Sequence, residues 1–310
     1  MKLSIVTTLY KSSNNVEEFY ARISKEVTKF TDDYEIIFVD DGSPDDSLQK
    51  CIKLHKQDSR VKILELSRNF GHHKAIMTGL SNTQGDYIFL IDCDLEERPE
   101  LLESFWQFLQ NDKEVDVVYG VQEKRKGDWF ERLSGTLYYK IFNLLADNGK
   151  TPQNILTIRL MKKLYVDQIL LFNEKDFFFA HICELTGFNQ QPMIVDKLNI
   201  SPTSYTFFRK YNLLINSIFT FSVKPLFFIF YFGIFVTLIS FVYSAILIIN
   251  KIFFKMEFEG WTTIVASIWM IGGILTCFLG IVSIYISKIF IETKNRPFSI
   301  IKKIYGSNSK

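Results

Sequence analysis

Two aspartates one residue apart, Asp92 and Asp94, close the apolar run YIFLI in the segment GDYIFLIDCDLEERPELL. Carboxylates at that spacing can share a hard divalent cation, which takes oxygen ligands and leaves coordination positions open for phosphate oxygens. A second acidic pair, Asp40-Asp41, closes YEIIFVD and is followed by the turn residues Gly42 and Ser43. An Asp-Gly turn after a strand is by itself usually only a turn. Acidic residues at the tips of two different strands say more, because they can face one crevice and hold a phosphorylated ligand through a metal.

Positioning them requires a particular architecture. The runs at 3–8, 34–40, 61–66, 86–92 and 115–120 are short and rich in β-branched or aromatic residues. Amphipathic stretches at 14–30, 44–57, 72–83 and 99–110 separate them, and Ser43-Pro44 ahead of Asp45-Asp46 fits a helix cap with proline in the first turn. Such β-α-β alternation predicts an α/β fold with a mostly parallel sheet covered on both faces. In open sheets of this kind the ligand sits beyond the carboxyl ends of the strands, where both acidic pairs fall. No internal repeat or low-complexity tract appears.

The chain has 310 residues and a formal charge of +2, a balance that argues against nucleic acid as the partner. Cys51, Cys93, Cys183 and Cys277 form no CxxC pair, so neither a zinc site nor a disulfide framework is expected. Charge vanishes from two stretches, 225–250 and 260–287, each longer than the roughly 20 residues needed to cross a bilayer core. No signal peptide opens the chain. Arg209, Lys210 and Lys224 precede the first stretch, and Lys288, Lys294, Arg296, Lys302, Lys303 and Lys310 follow the second. By the positive-inside rule both ends face the cytoplasm and a short loop faces outward. The expected organisation is a cytoplasmic domain over 1–200, an amphipathic juxtamembrane segment over 201–224, two transmembrane helices within 225–291, and a basic tail over 292–310. The spans carry no ionisable residue, which argues against a transporter.

Three segments, YEIIFVDDGSPDDS, LSRNFGHHKAIMTGL and GDYIFLIDCDLEERPELL, together resemble the family 2 glycosyltransferases of GT-A fold. They are similar above all to the bacterial polyprenyl-phosphate (dolichol- and undecaprenyl-phosphate) sugar transferases with two C-terminal spans, used in lipopolysaccharide O-antigen modification. The resemblance covers about residues 2–226. It implies a Rossmann-like GT-A domain and an inverting, metal-dependent hexosyltransferase on the inner membrane of a bacterium, multi-pass, using Mg2+ or Mn2+. The donor is then a nucleotide-diphosphate sugar, UDP-linked on the bacterial resemblance, and the acceptor is polyprenyl phosphate on the cytoplasmic leaflet. Tyr10, Asp40, Asp41, Arg68, Asn69 and Asp92 fall at the nucleotide-sugar positions, with Ser67 a weaker neighbour. Asp92 and Asp94 fall at the metal, and Glu96 stands where relatives have Gln. Asp94 is also counted with the reacting groups. For an anionic lipid acceptor the matching cations are Arg132 and Arg159, with Arg125 beside them, whereas Lys124 and Lys126 read as a solvated loop. His72 and His73 are of a type that can ligate a metal, but relatives of the family have other polar residues there, so they read as a solvated helix start.

The chain departs from the family pattern at several points. TTLYKSS replaces the usual residues after the first strand, Gln122 stands in place of an Arg, and Thr157 in LTIRLM stands in place of an Asp. A phosphate acceptor is already ionised and tolerates the loss of a carboxylate, but a sugar hydroxyl would want a base. Asp176, His181 and Glu184 are the candidates for that second reading, transfer to a lipid-linked saccharide. A third reading is a degenerate nucleotide-sugar binding module, against which the intact Asp92 and Asp94 argue. The paired spans leave room for a homo-oligomer.

Overall fold

The computed structural model describes residues 2–122, 154–175, 177–196, 224–254 and 260–306. They fall into two compact units, one holding the sheet and the other the long apolar helices.

The first unit is built on an eight-stranded sheet ordered β7-β5-β6-β4-β1-β2-β3-β8. Strands β1 (Leu3–Leu9), β2 (Tyr34–Asp40), β3 (Val61–Leu66) and β4 (Tyr87–Leu90) are parallel to one another. Helices α1 (Val16–Val27), α2 (Ser47–Gln57) and α3 (His72–Leu80) link them in the expected alternation. After α4 (Leu101–Asn111) the pattern changes. Strand β6 (Ile155–Lys162) inserts antiparallel between β4 and β5 (Val117–Val121), and β7 (Gln190–Ile194) pairs parallel with β5. Short helices α5 (Lys163–Ile169) and α6 (Phe179–Leu185) connect β6 to β7.

Alternation along the strands feeds two cores. Ile5, Ile36, Phe38 and Phe89 point to the face covered by α1, α2 and α4, where Phe19, Cys51 and Phe105 meet them. Val6, Ile37, Val39, Leu64 and Leu90 point to the opposite face, under Ile76, Met77 and Leu80 of α3 and Val166 and Ile182 of α5 and α6. Strands buried on both faces explain why these runs read as continuous apolar segments. Gly79 lets α3 lie close on β1, since a Cβ there would come within 2.5 Å of Val6. Emptying one of the aromatic positions, as in Phe38→Ala, would cost about 3–5 kcal/mol.

Two local expectations are corrected. Ser43 and Pro44 do not start α2. The helix begins at Ser47, where the Asp45 carboxylate accepts from the Ser47 hydroxyl (2.6 Å) and, more weakly, from its N–H (3.3 Å). The tail is also more than a basic segment, because residues Ile301–Tyr305 form β8, antiparallel to β3. Glu65 fastens it, accepting from Lys302 and from the Tyr305 hydroxyl at 3.0 Å, while Ser67 N–H donates to Ile300 C=O at 2.9 Å.

The second unit contains α7 (Lys224–Phe254) and α8 (Trp261–Thr293). Among the described residues one segment, Met270–Thr293, is long and apolar enough to cross a membrane, and the apolar part of α7, Lys224–Val236, is shorter. The juxtamembrane segment expected over 201–224 lies almost wholly outside the described residues.

Candidate active site

In this sheet β1 sits where the order reverses, with β2 and β3 on one side and β4 on the other. The tips of β1 and β4 therefore flank the topological switch point, where sheets of this kind take their ligands, and Tyr10, Asp40, Asp41, Asp92 and Asp94 follow the ends of β1, β2 and β4.

Beyond β2 the chain turns through Asp40, Asp41 and Gly42. Gly42 has φ +65°, and a Cβ there would lie 2.7 Å from the backbone of Arg68 and Asn69. The turn after β2 is thus pressed backbone to backbone against the turn after β3. Asp41 ties the two together: its carboxylate accepts from Phe70 N–H at 2.7 Å and Gly71 N–H at 2.9 Å. The side chain is 2% exposed. In this geometry the Asp41 carboxylate shapes the 67–71 loop. Burial raises the Asp41 carboxyl above its usual range despite these two donors. Asp40 is equally buried, Ser43 N–H donates to it at a long 3.4 Å, and burial raises it too. Arg68 and Asn69 stand exposed at the rim, Arg68 lying over the Phe70 ring at 4.3 Å. Tyr10 is half exposed beyond β1.

Beyond β4 lies the Asp92–Asp94 loop. Asp94 Oδ1 accepts from Glu96 N–H at 2.9 Å, and Asn15 reaches from the start of α1 to the Asp94 carbonyl at 3.2 Å. Leu95 between them has φ +62°. That left-handed backbone costs a branched residue roughly 1–2 kcal/mol, and strain of this kind gathers at working sites. Glu96 is half-buried beside Asp94. Asp92 is partly open, and across from it stands His72, the first residue of α3. His72 Nε2 is 3.7 Å from Asp92 Oδ1, and His72 Nδ1 is 3.1 Å from the Thr8 hydroxyl of β1. His72 is an exposed helix start, as expected, and lies beside Thr8 of β1 and Asp92 beyond β4.

His73 turns inward instead, packing edge-on against Phe178 at 4.8 Å. Burial, then the neighbouring His72 and Arg159 charges, push it down to about 4, so it is neutral at pH 7. Behind it lies Arg159 on β6, only 1% exposed, donating to Cys183 Sγ at 2.7 Å and to the carbonyls of Thr157 and Leu156. An acceptor phosphate cannot reach a guanidinium enclosed in this way, so Arg159 braces β6 against α6. Burial lowers His181 and raises Glu184, although the Arg159 charge counters the latter. Arg125, Arg132 and Asp176 lie outside the described residues.

The donor set fits a divalent cation of the magnesium or manganese type. Among the described residues no three His, Cys, Asp or Glu converge to hold an ion alone. Such cations are held by one or two carboxylates with phosphate oxygens and water completing the shell, and Asp92 and Asp94 supply carboxylates of that kind.

The strand tips beyond β2 and β4 carry paired acids, and sequence comparison gives the class. The family described as Glycosyl transferase family 2 matches residues 4–170. This chain belongs to glycosyltransferase family 2. A Mycobacterium tuberculosis protein described as "Putative glycosyltransferases" is 47% identical over 308 residues, covering 99% of this chain and 90% of that protein. The SfII prophage-derived bactoprenol glucosyl transferase of Shigella flexneri is 30% identical over 317 residues, covering 99% of this chain and all of that protein. The Bacillus subtilis protein YkcC, an uncharacterised glycosyltransferase, is 32% identical over the whole chain and 96% of its own length.

Proposed function

We propose that this enzyme moves a sugar from a nucleotide diphosphate, most simply UDP, to a polyprenyl phosphate at the cytoplasmic face of a membrane, inverting the anomeric centre. One observation carries the reading: 30% identity to bactoprenol glucosyl transferase extends over 99% of this chain, apolar helices included. An acceptor phosphate oxygen forms the new bond to the anomeric carbon while the bond to the donor diphosphate breaks, its electron pair leaving with the nucleoside diphosphate. The phosphate is ionised at neutral pH, so no residue need remove a proton, which suits Thr157 in place of a carboxylate. A bound Mg2+ or Mn2+ would neutralise charge growing on the leaving diphosphate. Asp92 and Asp94 would hold it, and the loop from Ser67 to Gly71, fixed by Asp41, would border the nucleotide. Arg125 and Arg132 remain the candidates for the acceptor phosphate.

Chain connectivity favours a pair of crossings. The polypeptide leaves the sheet after β7 and re-enters it as β8, with α7 and α8 between. A segment that both leaves and rejoins one water-facing sheet must cross a membrane an even number of times. If Met270–Thr293 crosses, α7, drawn from the uncharged stretch 225–250, is the natural return path. Both termini would then share one side of the membrane, the cytoplasmic one on the reading of the flanking basic residues.

The test is a screen of UDP- and GDP-sugars with purified full-length protein, Mn2+ and undecaprenyl phosphate in lipid nanodiscs, reading nucleoside diphosphate release and labelled lipid. We expect release that requires the lipid phosphate. Release only with a lipid-linked saccharide would replace the acceptor assignment.

A further inference from the structure

We infer that β8, the strand that follows the apolar helices, is a positioning element of the donor site: it holds the 67–71 loop in the shape that receives the nucleotide. The inference rests on the reading of that loop as the border of the nucleotide.

The loop is gripped from two sides. On one side the Asp41 carboxylate takes the N–H groups of Phe70 and Gly71. On the other, Ile300 C=O takes Ser67 N–H, at the first residue of the loop, at 2.9 Å. One residue earlier in the tail, the Ser299 hydroxyl shares a hydrogen bond of 2.6 Å with the Thr78 hydroxyl of α3. The tail thus holds the loop where it begins and also holds the helix that follows it. A strand that merely covered the edge of β3 would need neither contact.

A β-bulge makes the double grip possible. Glu65 pairs with Lys303 and Leu66 with Ile301, so Lys302 is an extra residue in the tail strand. Side chains alternate along a strand, and Ile301 and Tyr305, four apart, would share one face of a regular strand. The extra residue sends them to opposite faces, as bulges do when they re-aim a side chain. Tyr305 packs on the core that holds Ile63, and Ile301 on the core that holds Leu66, where Phe70 of the loop and Phe298 of the tail also pack. Lys302 itself reaches Glu65, which also takes the Tyr305 hydroxyl at 3.0 Å. Glu65 is 9% exposed and stands in register with Asp40, so these two donors anchor the tail at the strand ends that carry the acids.

The experiment uses the full-length protein in nanodiscs with Mn2+ and UDP, and in parallel GDP. It reads nucleotide affinity and stoichiometry by calorimetry, and amide hydrogen exchange of peptides spanning 66–72 without nucleotide. In the double variant Lys302→Met, Tyr305→Phe, exchange of the loop should quicken. Affinity should fall about tenfold, roughly the worth of one good hydrogen bond. A merely structural loss would lower the number of sites filled and leave the affinity of the remaining ones unchanged. Lys302→Arg should restore both readings in the presence of Tyr305, and Glu35→Gln, which loosens the far end of β2, should move neither. Tyr305→Phe alone carries the same readings at smaller amplitude if the double variant does not fold. Loop exchange that stays as in the wild type, or an equal change in Glu35→Gln, would overturn the inference and leave the nucleotide reading standing. Quickened exchange with unchanged affinity, or no binding of either nucleotide to the wild type, would overturn the reading of the loop as the nucleotide border and this inference with it.

Discussion

Strand β2 carries a buried carboxylate near each end, and the protein treats them in opposite ways. At the amino end Glu35 receives Ser4 Oγ at 2.6 Å, Lys62 Nζ at 2.5 Å and Gln84 N–H at 2.7 Å. Burial works to raise its carboxyl, but those three donors outweigh it and hold Glu35 below the ordinary glutamate range. At the carboxyl end Asp40 and Asp41 are as deeply buried, yet burial wins and both are raised. The same element thus ends in a satisfied structural acid on one side and two costly acids on the other. Groups held at such cost concentrate at functional sites, and in this sheet the costly end is the crevice end.

The largest expected effect lies in the crevice. Asp94→Ala should reduce transfer by at least a thousandfold, measured as lipid-linked sugar formed, with little change in the urea midpoint. A midpoint drop matching the activity loss would mean that Asp94 is structural like Glu35, and the contrast between the two ends would fail.

Next in size is the amino end. Glu35→Gln should destabilise the fold by about 3 kcal/mol, the low end for breaking a buried pair because Lys62 stays 21% exposed. Turnover per folded molecule should be unchanged. The pH dependence follows from the sign of the shift. Glu35 is lowered, so its contribution is present above its unfolded pKa, near the model-peptide value of 4.5, and is lost as pH falls through the lower folded value. Urea titrations should show wild-type stability falling on acidification below about pH 4.5 more steeply than in Glu35→Gln.

The smallest effect has the opposite sign. Asp40 is raised, so its ionisation weakens the folded state at neutral pH and this penalty disappears as pH falls below the unfolded value. Asp40→Asn keeps the shape and removes the charge, and should raise the urea midpoint slightly at pH 7. A midpoint that falls would show that the ionised Asp40 is satisfied after all.

How much of this was legible in the sequence differs between the two halves of the sheet. Strands 34–40 and 61–66 coincide with β2 and β3 to the residue, because each is an apolar run bounded by polar turns. Asp92 and Asp94 were legible for the same reason, since a strand tip can be read from where the apolar run stops. Beyond β5 the signals mislead. Arg159 matches a basic position expected at the acceptor phosphate, yet β6 slots between β4 and β5 and encloses it, a consequence of long-range pairing that no local pattern encodes. Strand β8 hides behind Lys302 and Lys303, which edge strands tolerate and even favour. That His72 lies beside Thr8 and Asp92 follows only once β1 and β4 are placed on either side of it.

Asp92 and Asp94 beyond β4 should hold a cation-bound diphosphate. The most direct test is the anomalous scattering of Mn2+ in crystals of the protein with UDP bound. The account predicts a single strong peak within about 2.5 Å of an Asp92 or Asp94 carboxylate oxygen, with the diphosphate on its far side. A nucleotide bound without a peak there, or a peak elsewhere on the sheet, would contradict it.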